Sequence, residues 1–174
     1  MNIKGHKINV TQLICLVLYY GIAYWLPGSY SVIMGRLCKR IFQRCGSNVN
    51  IERKANFGVC LEIQIGNNSG LSNGCVVPSN TIIGNDVMMG PNCYILDHNH
   101  CYSLTDIPMN QQGKTRKYQT IIEDDVWIGR DVLMTPGRII KIGTIVATSC
   151  VLCKDFPEFY IVGGNPSKLI KSRK

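Results

Sequence analysis

The sequence predicts an all-β body, a coil of short parallel strands, preceded by an apolar and basic helical segment. Two observations carry this. Ile65, Leu71, Val77, Ile83, Met89 and Ile95 recur every six residues, and after a break so do Ile122, Ile128, Met134, Ile140, Val146 and Leu152. That period belongs neither to a helix nor to a simple alternating strand. Ahead of it, residues 13–26 are apolar without interruption until Pro27-Gly28 stops the run. A chain of 174 residues suits one compact body, and 45% hydrophobic with 17% charged residues excludes a mostly disordered one.

The apolar run is the first element. Fourteen residues fall short of the roughly 20 needed to span a bilayer. Although Lys4 and Lys7 precede the run, no convincing small-residue cleavage site follows it, so a buried or interfacial helix is expected rather than a signal peptide. Residues 31–45 read as a second helix, with Ile33, Leu37, Ile41 and Cys45 at four-residue spacing and Arg36, Lys39, Arg40 and Arg44 elsewhere on its circumference. Charge concentrates here. Residues 1–54 hold eight basic residues and one acid, a balance of +7, while residues 55–174 hold eleven and ten, a balance of +1. Two readings follow: a helix pair on an anionic membrane surface, or a helical cap whose charges are merely solvated. The basic helix lacks interleaved aromatics or a reading motif, so nucleic acid is not an expected partner.

The repeat comes next. Four residues after each large aliphatic stand Ser69, Cys75, Thr81, Val87 and Cys93, then Val126, Val132, Arg138, Thr144 and Cys150, nearly all small. Gly, Asn, Asp and Pro cluster between, as in Gly66-Asn67-Asn68, Gly84-Asn85-Asp86 and Gly90-Pro91-Asn92. Such residues tolerate tight or left-handed corners. One large side chain per strand then stacks along the axis, each burial contributing about 1.5–3 kcal/mol. Arg138 and Lys141 depart from the pattern, which predicts local distortion of that coil. Nine cysteines are scattered, several among Ile and Val where a small apolar residue would serve, which suits a reducing compartment without disulfides; Cys150-x-x-Cys153, with no second ligand pair, is expected to be structural.

A repeat of large aliphatic, Gly or Asp, x, x, small, x resembles the hexapeptide-repeat acetyltransferases over about residues 48–172. The specific marks are Val126-Trp127-Ile128-Gly129, Thr135-Pro136-Gly137, Lys154-Asp155-Phe156-Pro157 and Gly164-Asn165-Pro166-Ser167-Lys168. In pattern the chain is most similar to the maltose/galactoside type and to the O-acetyltransferases of capsule and exopolysaccharide assembly. The resemblance implies a left-handed parallel β-helix with amino-terminal helices (1–47), a repeat domain (48–174) interrupted by a loop (98–120), and a carboxyl-terminal tail (163–174) with a short helix. It implies a cytoplasmic homotrimer using acetyl-CoA to acetylate a sugar or polysaccharide-precursor hydroxyl, without a metal; peripheral contact with an anionic membrane stays one of the two readings of the amino-terminal segment.

The loop begins with two of the three histidines, His98 and His100, and a long loop inside a compact repeat is usually functional or disordered. In the family a histidine there is the general base, and counting from Pro91-Asn92 it falls on His100. His98 lies two residues earlier and could face the same side of an extended strand. Asp97 could orient an imidazole or cap the backbone. For acetyl-CoA the resemblance points to Trp127, Arg130, Thr148, Cys153, Lys154, Lys168 and Lys171. The acceptor side stays open: an amino group on a nucleotide sugar, an antibiotic hydroxyl, or no catalysis at all in a scaffold. A zinc enzyme of this fold would need three histidines on facing rungs. Only His6, His98 and His100 exist, and His6 is far from the repeat.

Overall fold

The computed structural model describes residues 2–3 and 6–174, with side chains from Ile8 onward. Lys4, part of the basic lead-in, lies outside the described residues. A two-residue antiparallel pairing of Asn2–Ile3 with His6–Lys7 precedes helix α1 (Val10–Gly21). Asn9 opens α1 through a reciprocal capping box with Gln12, its Oδ1 accepting from the Gln12 N–H at 2.8 Å. Two short 3-10 turns over Ala23–Trp25 and Gly28–Tyr30 carry the chain past Pro27 into α2 (Ser31–Ile41).

The apolar run thus forms a helix that starts earlier and ends sooner than its hydropathy suggests. The second helix also stops early, at Ile41. Arg44–Cys45 pairs in parallel with Gln64–Ile65 and is the first strand of the coil. Its inward face differs as well: Met34, Gly35, Cys38 and Ile41 are buried, whereas Ile33 is exposed. Gly35 decides this, because a Cβ there would lie 2.4 Å from the Val49 carbonyl oxygen. Only glycine lets the helix approach the coil so closely.

From residue 44 the chain winds through three flat parallel faces. Face one stacks strands at residues 44–45, 64–65, 82–83, 121–122 and 139–140, and face two those at 50–51, 70–71, 88–89, 127–128, 145–146 and 160–163. Face three joins 94–95, 133–134 and 151–152, extended by bridges at Asn56 and Val76. All twelve residues of the six-residue repeat are buried, none more than 3% exposed. The small residues that follow them are buried too, except Arg138. Corners are turned by left-handed Asn48, Asn68, Asp86, Asn92 and Asp131, residues that tolerate that conformation. They stack into side-chain ladders, with Asn68 Nδ2 donating to Asp86 Oδ1 at 3.0 Å and Asn92 Nδ2 to Asp131 Oδ1 at 3.0 Å.

Two expectations are corrected. The coil around Arg138 and Lys141 keeps its register, Ile121 with Ile139 and Ile122 with Ile140. Arg138 turns its guanidinium outward onto the carbonyls of Pro136 and Cys153, and Lys141 Nζ reaches Glu123 at 2.9 Å. The carboxyl-terminal segment is a strand and not a helix: Lys168–Ser172 returns antiparallel along Tyr160–Gly163. Gly164, at φ 94°, allows the reversal, and pairing with a free sheet edge satisfies more backbone groups than one isolated helical turn could.

Candidate active site

The loop leaves the coil at the corner between faces three and one. Its two limbs fold back on each other: the Tyr118 N–H donates to Asp97 O at 2.7 Å, the Thr115 N–H to Asn99 O at 2.9 Å, and the Cys101 N–H to Gly113 O at 3.1 Å. Gln112 closes the tip, its Nε2 donating to the carbonyls of Leu104 and Ile107 at 2.8 Å each. A 23-residue excursion thereby becomes a hairpin whose base is set by the coil beneath it. Tyr118 packs on Gly137, where a Cβ would lie 3.2 Å from the tyrosine Cβ.

The hairpin brings three side chains together. The Asp97 carboxylate contacts His98 Nδ1 through one oxygen and accepts from Lys117 Nζ at 2.8 Å through the other. Burial pushes the Asp97 carboxyl up, but the hydrogen bonds and charge of Lys117 and His98 outweigh it and hold the group below the usual range. With Nδ1 donating to the carboxylate, Nε2 of His98 presents its lone pair outward. His100 bridges Lys114 through its backbone and is exposed, its ring without a hydrogen-bond partner among the described residues. The carboxylate partner therefore belongs to His98, two residues before the position the resemblance designates. Beside the pair lies a cavity of about 220 Å³ bounded by Asn56, Phe57, Val76, Pro78, Tyr94 and Lys117.

The corner continues down the stack. Strand register aligns Ile95 with Met134 and Met134 with Leu152, so Asp97, Pro136 and Lys154 succeed one another on neighbouring coils. Two strand spacings put the Lys154 backbone about 10 Å from that of Asp97. Cys153 is exposed, and its thiol is lowered by hydrogen bonding to Ser167, at 3.4 Å, with help from the Lys154 charge. Lys154 lies 5.4 Å from the Phe156 ring centroid. Among the described residues Lys154, Lys168 and Lys171 have no ion pair, whereas Lys117, Arg130, Arg138, Lys141 and Arg173 all do.

The other sequence candidates fall elsewhere on the same subunit. Trp127 is half-exposed on face two, in one ladder with Met88, Ile145, Ile161 and Lys171. Arg130 and Thr148 stack at the corner between faces two and three, where a Cβ on Gly129 would lie 2.6 Å from the Thr148 nitrogen. Lys168 lies on the terminal strand. Within one chain, face three separates Arg130 and Thr148 from His98. Sequence reasoning missed Lys117. The cluster of basic residues on the returning limb was its one signal.

A stack of three flat faces with a six-residue repeat, left-handed corners and one loop excursion defines the hexapeptide left-handed β-helix. No family model matches the chain. Its similarities to individual proteins are extensive. A hexapeptide-repeat acetyltransferase from Vibrio cholerae, also solved with acetyl-coenzyme A, superposes with TM-score 0.78 at 25% identity, covering 94% of this chain and 91% of that one. A maltose O-acetyltransferase from Clostridium difficile gives 0.79 at 25% identity, covering 94% and 87%. In sequence, the putative lipopolysaccharide biosynthesis O-acetyl transferase WbbJ of Escherichia coli is 32% identical over 95 residues, 51% of this chain and 48% of that protein. The chain spans less than half the length of several curated relatives it matches, for instance 42%, 26% and 48% of three of them. In fold and in sequence the chain is similar to hexapeptide-repeat acetyltransferases.

Proposed function

We propose that this protein transfers the acetyl group of acetyl-CoA to a hydroxyl of a sugar or polysaccharide precursor, with His98 as general base. The carrying observation is the Asp97–His98–Lys117 arrangement, at the head of the corner that ends in the unpaired Lys154. His98 Nε2 takes the proton of the acceptor hydroxyl as its oxygen attacks the thioester carbonyl. The tetrahedral intermediate expels the coenzyme A thiolate, which recovers the proton from the imidazolium. Asp97 stays ionised throughout, holding the tautomer and stabilising the transient cation. Direct transfer needs no nucleophilic side chain.

For the donor, Lys154, Lys168 and Lys171 are the cations free to meet phosphates, and the exposed ring of Trp127 offers an apolar platform beside Lys171. Arg130, Thr148 and Cys153 complete the donor surface in this reading. The two candidate corners sit apart on one chain, so a homotrimer, in which neighbouring subunits complete each site, is part of the proposal. The aliphatic outer row of face one, Ile82, Ile121 and Ile139, supports such contact. No group of three or more metal ligands occurs among the described residues, and the mechanism uses none. Sugar acceptors are favoured by the likeness to the maltose enzyme and WbbJ. The setting proposed is the cytoplasmic side of a membrane involved in glycan assembly.

Calorimetry with acetyl-CoA tests the donor. One site per chain, weakened about tenfold by Lys154→Ala, supports the reading. Absence of binding by folded protein leaves the β-helix as a scaffold.

A further inference from the structure

Helix α1 turns an apolar face to solvent. Val10, Ile14, Val17 and Leu18 are 74%, 54%, 61% and 41% exposed, and helical geometry puts them within an arc of about 100°. Trp25, 65% exposed, continues this surface in the turn that follows. No residue from 8 to 35 is charged. A helix that merely caps a coil carries polar groups on its outer side, and here the exposed side chains are apolar apart from Thr11.

The orientation is locked. On the opposite side of α1, Cys15 and Tyr19 are buried, and the Tyr19 hydroxyl donates to Ala55 O at 2.7 Å. The exposed residues cannot rotate inward without breaking that bond. Helix α2, pinned to the coil at Gly35, packs against α1 and exposes Arg36, Lys39 and Arg40. Lys54 lies 5.7 Å from the Trp25 ring centroid. The apolar face thus lies on a helix packed against one whose exposed cations, like Lys54 beside Trp25, have no ion pair among the described residues. No described helix is long and apolar enough to cross a membrane.

We propose that this face docks peripherally on a bilayer containing anionic phospholipid. The α1 side chains and Trp25 enter the boundary between headgroups and acyl chains, and Arg36, Lys39 and Arg40 meet the lipid phosphates. The charge complementarity selects a lipid surface over a second copy of the chain, whose corresponding face is equally cationic. These observations are independent of the acetyl-transfer reading.

The test is co-sedimentation of the full chain with vesicles of phosphatidylcholine, with and without phosphatidylglycerol. Binding is expected only to the anionic vesicles at low salt. Arg36→Ala/Lys39→Ala/Arg40→Ala should weaken it on the order of a hundredfold, at about fivefold per charge. Ile14→Glu/Val17→Glu should abolish it while leaving acetyl-CoA affinity and the thermal midpoint unchanged. Should either variant misfold, the readout is Trp25 fluorescence in a Trp127→Phe background, which shifts to the blue on anionic vesicles. Three results overturn the proposal: no binding to either vesicle, undiminished binding of the glutamate variant, or light scattering showing that the glutamate variant dissolves a larger assembly of the wild type.

Discussion

Replacing Asp97 by asparagine discriminates between the two histidines. The substitution keeps the side chain's shape but removes the anion that His98 Nδ1 and Lys117 Nζ both engage. A hydrogen bond to a charged group is worth about 1.5–3 kcal/mol, so losing it from the imidazolium-like transition state should lower kcat by about 10- to 150-fold. Binding of acetyl-CoA, which does not use Asp97, should hold. His98→Ala removes the base itself and should cost about 10²- to 10⁴-fold, whereas His100→Ala, whose exposed ring has no hydrogen-bond partner among the described residues, should leave kcat close to wild type. The assay separates coenzyme A from acetyl-CoA chromatographically with a sugar acceptor found by screening, because the protein's nine cysteines would react with thiol reagents. If His100→Ala abolishes turnover and His98→Ala and Asp97→Asn do not, the carboxylate-oriented imidazole is not the base and the geometric argument fails.

The same carboxylate predicts a pH dependence. Its folded pKa is depressed, so its pairing stabilises the protein above the unfolded carboxylate range and is lost as pH falls through the folded value. Lys117→Ala should therefore lower the thermal midpoint at neutral pH, and the gap should close in acid, as calorimetric scans across pH would show. Gly129→Ala sets a Cβ 2.6 Å from the Thr148 nitrogen and 2.9 Å from its Cα, backbone contacts that cannot yield cheaply, so about 1–3 kcal/mol should be lost in urea unfolding. Tyr19→Phe leaves the buried Ala55 carbonyl without its side-chain donor and should cost about 1–3 kcal/mol by the same measurement. An unchanged midpoint would mean that α1 is not anchored there.

The coil was legible in the sequence because its determinants are local. One large aliphatic every six residues fills the axis, and Asn, Asp or Gly turns most of the corners. All twelve repeat positions accordingly end in the core. Where two patterns compete at close range, local signals fail. Ile33 and Met34 both fit a helical stripe, and only the approach of α2 to Val49, through Gly35, chose Met34. The tail expected to hold a short helix became the strand Lys168–Ser172 because the edge of Tyr160–Gly163 offered it partners.

The sequence by itself determined the repeating body and the point at which it is interrupted, since burial and corner geometry there depend on residues a few positions apart. The tertiary structure alone decided which groups of the interruption pair with one another. Asp97 and Lys117 stand at opposite ends of the loop, and no periodicity relates them. His98 is next to Asp97 in the chain, but only the folding back of the hairpin brings the Lys117 ammonium group within hydrogen-bonding distance of the same carboxylate. Electrostatic pairing acts through space, so its outcome is set by the fold and not by spacing along the chain.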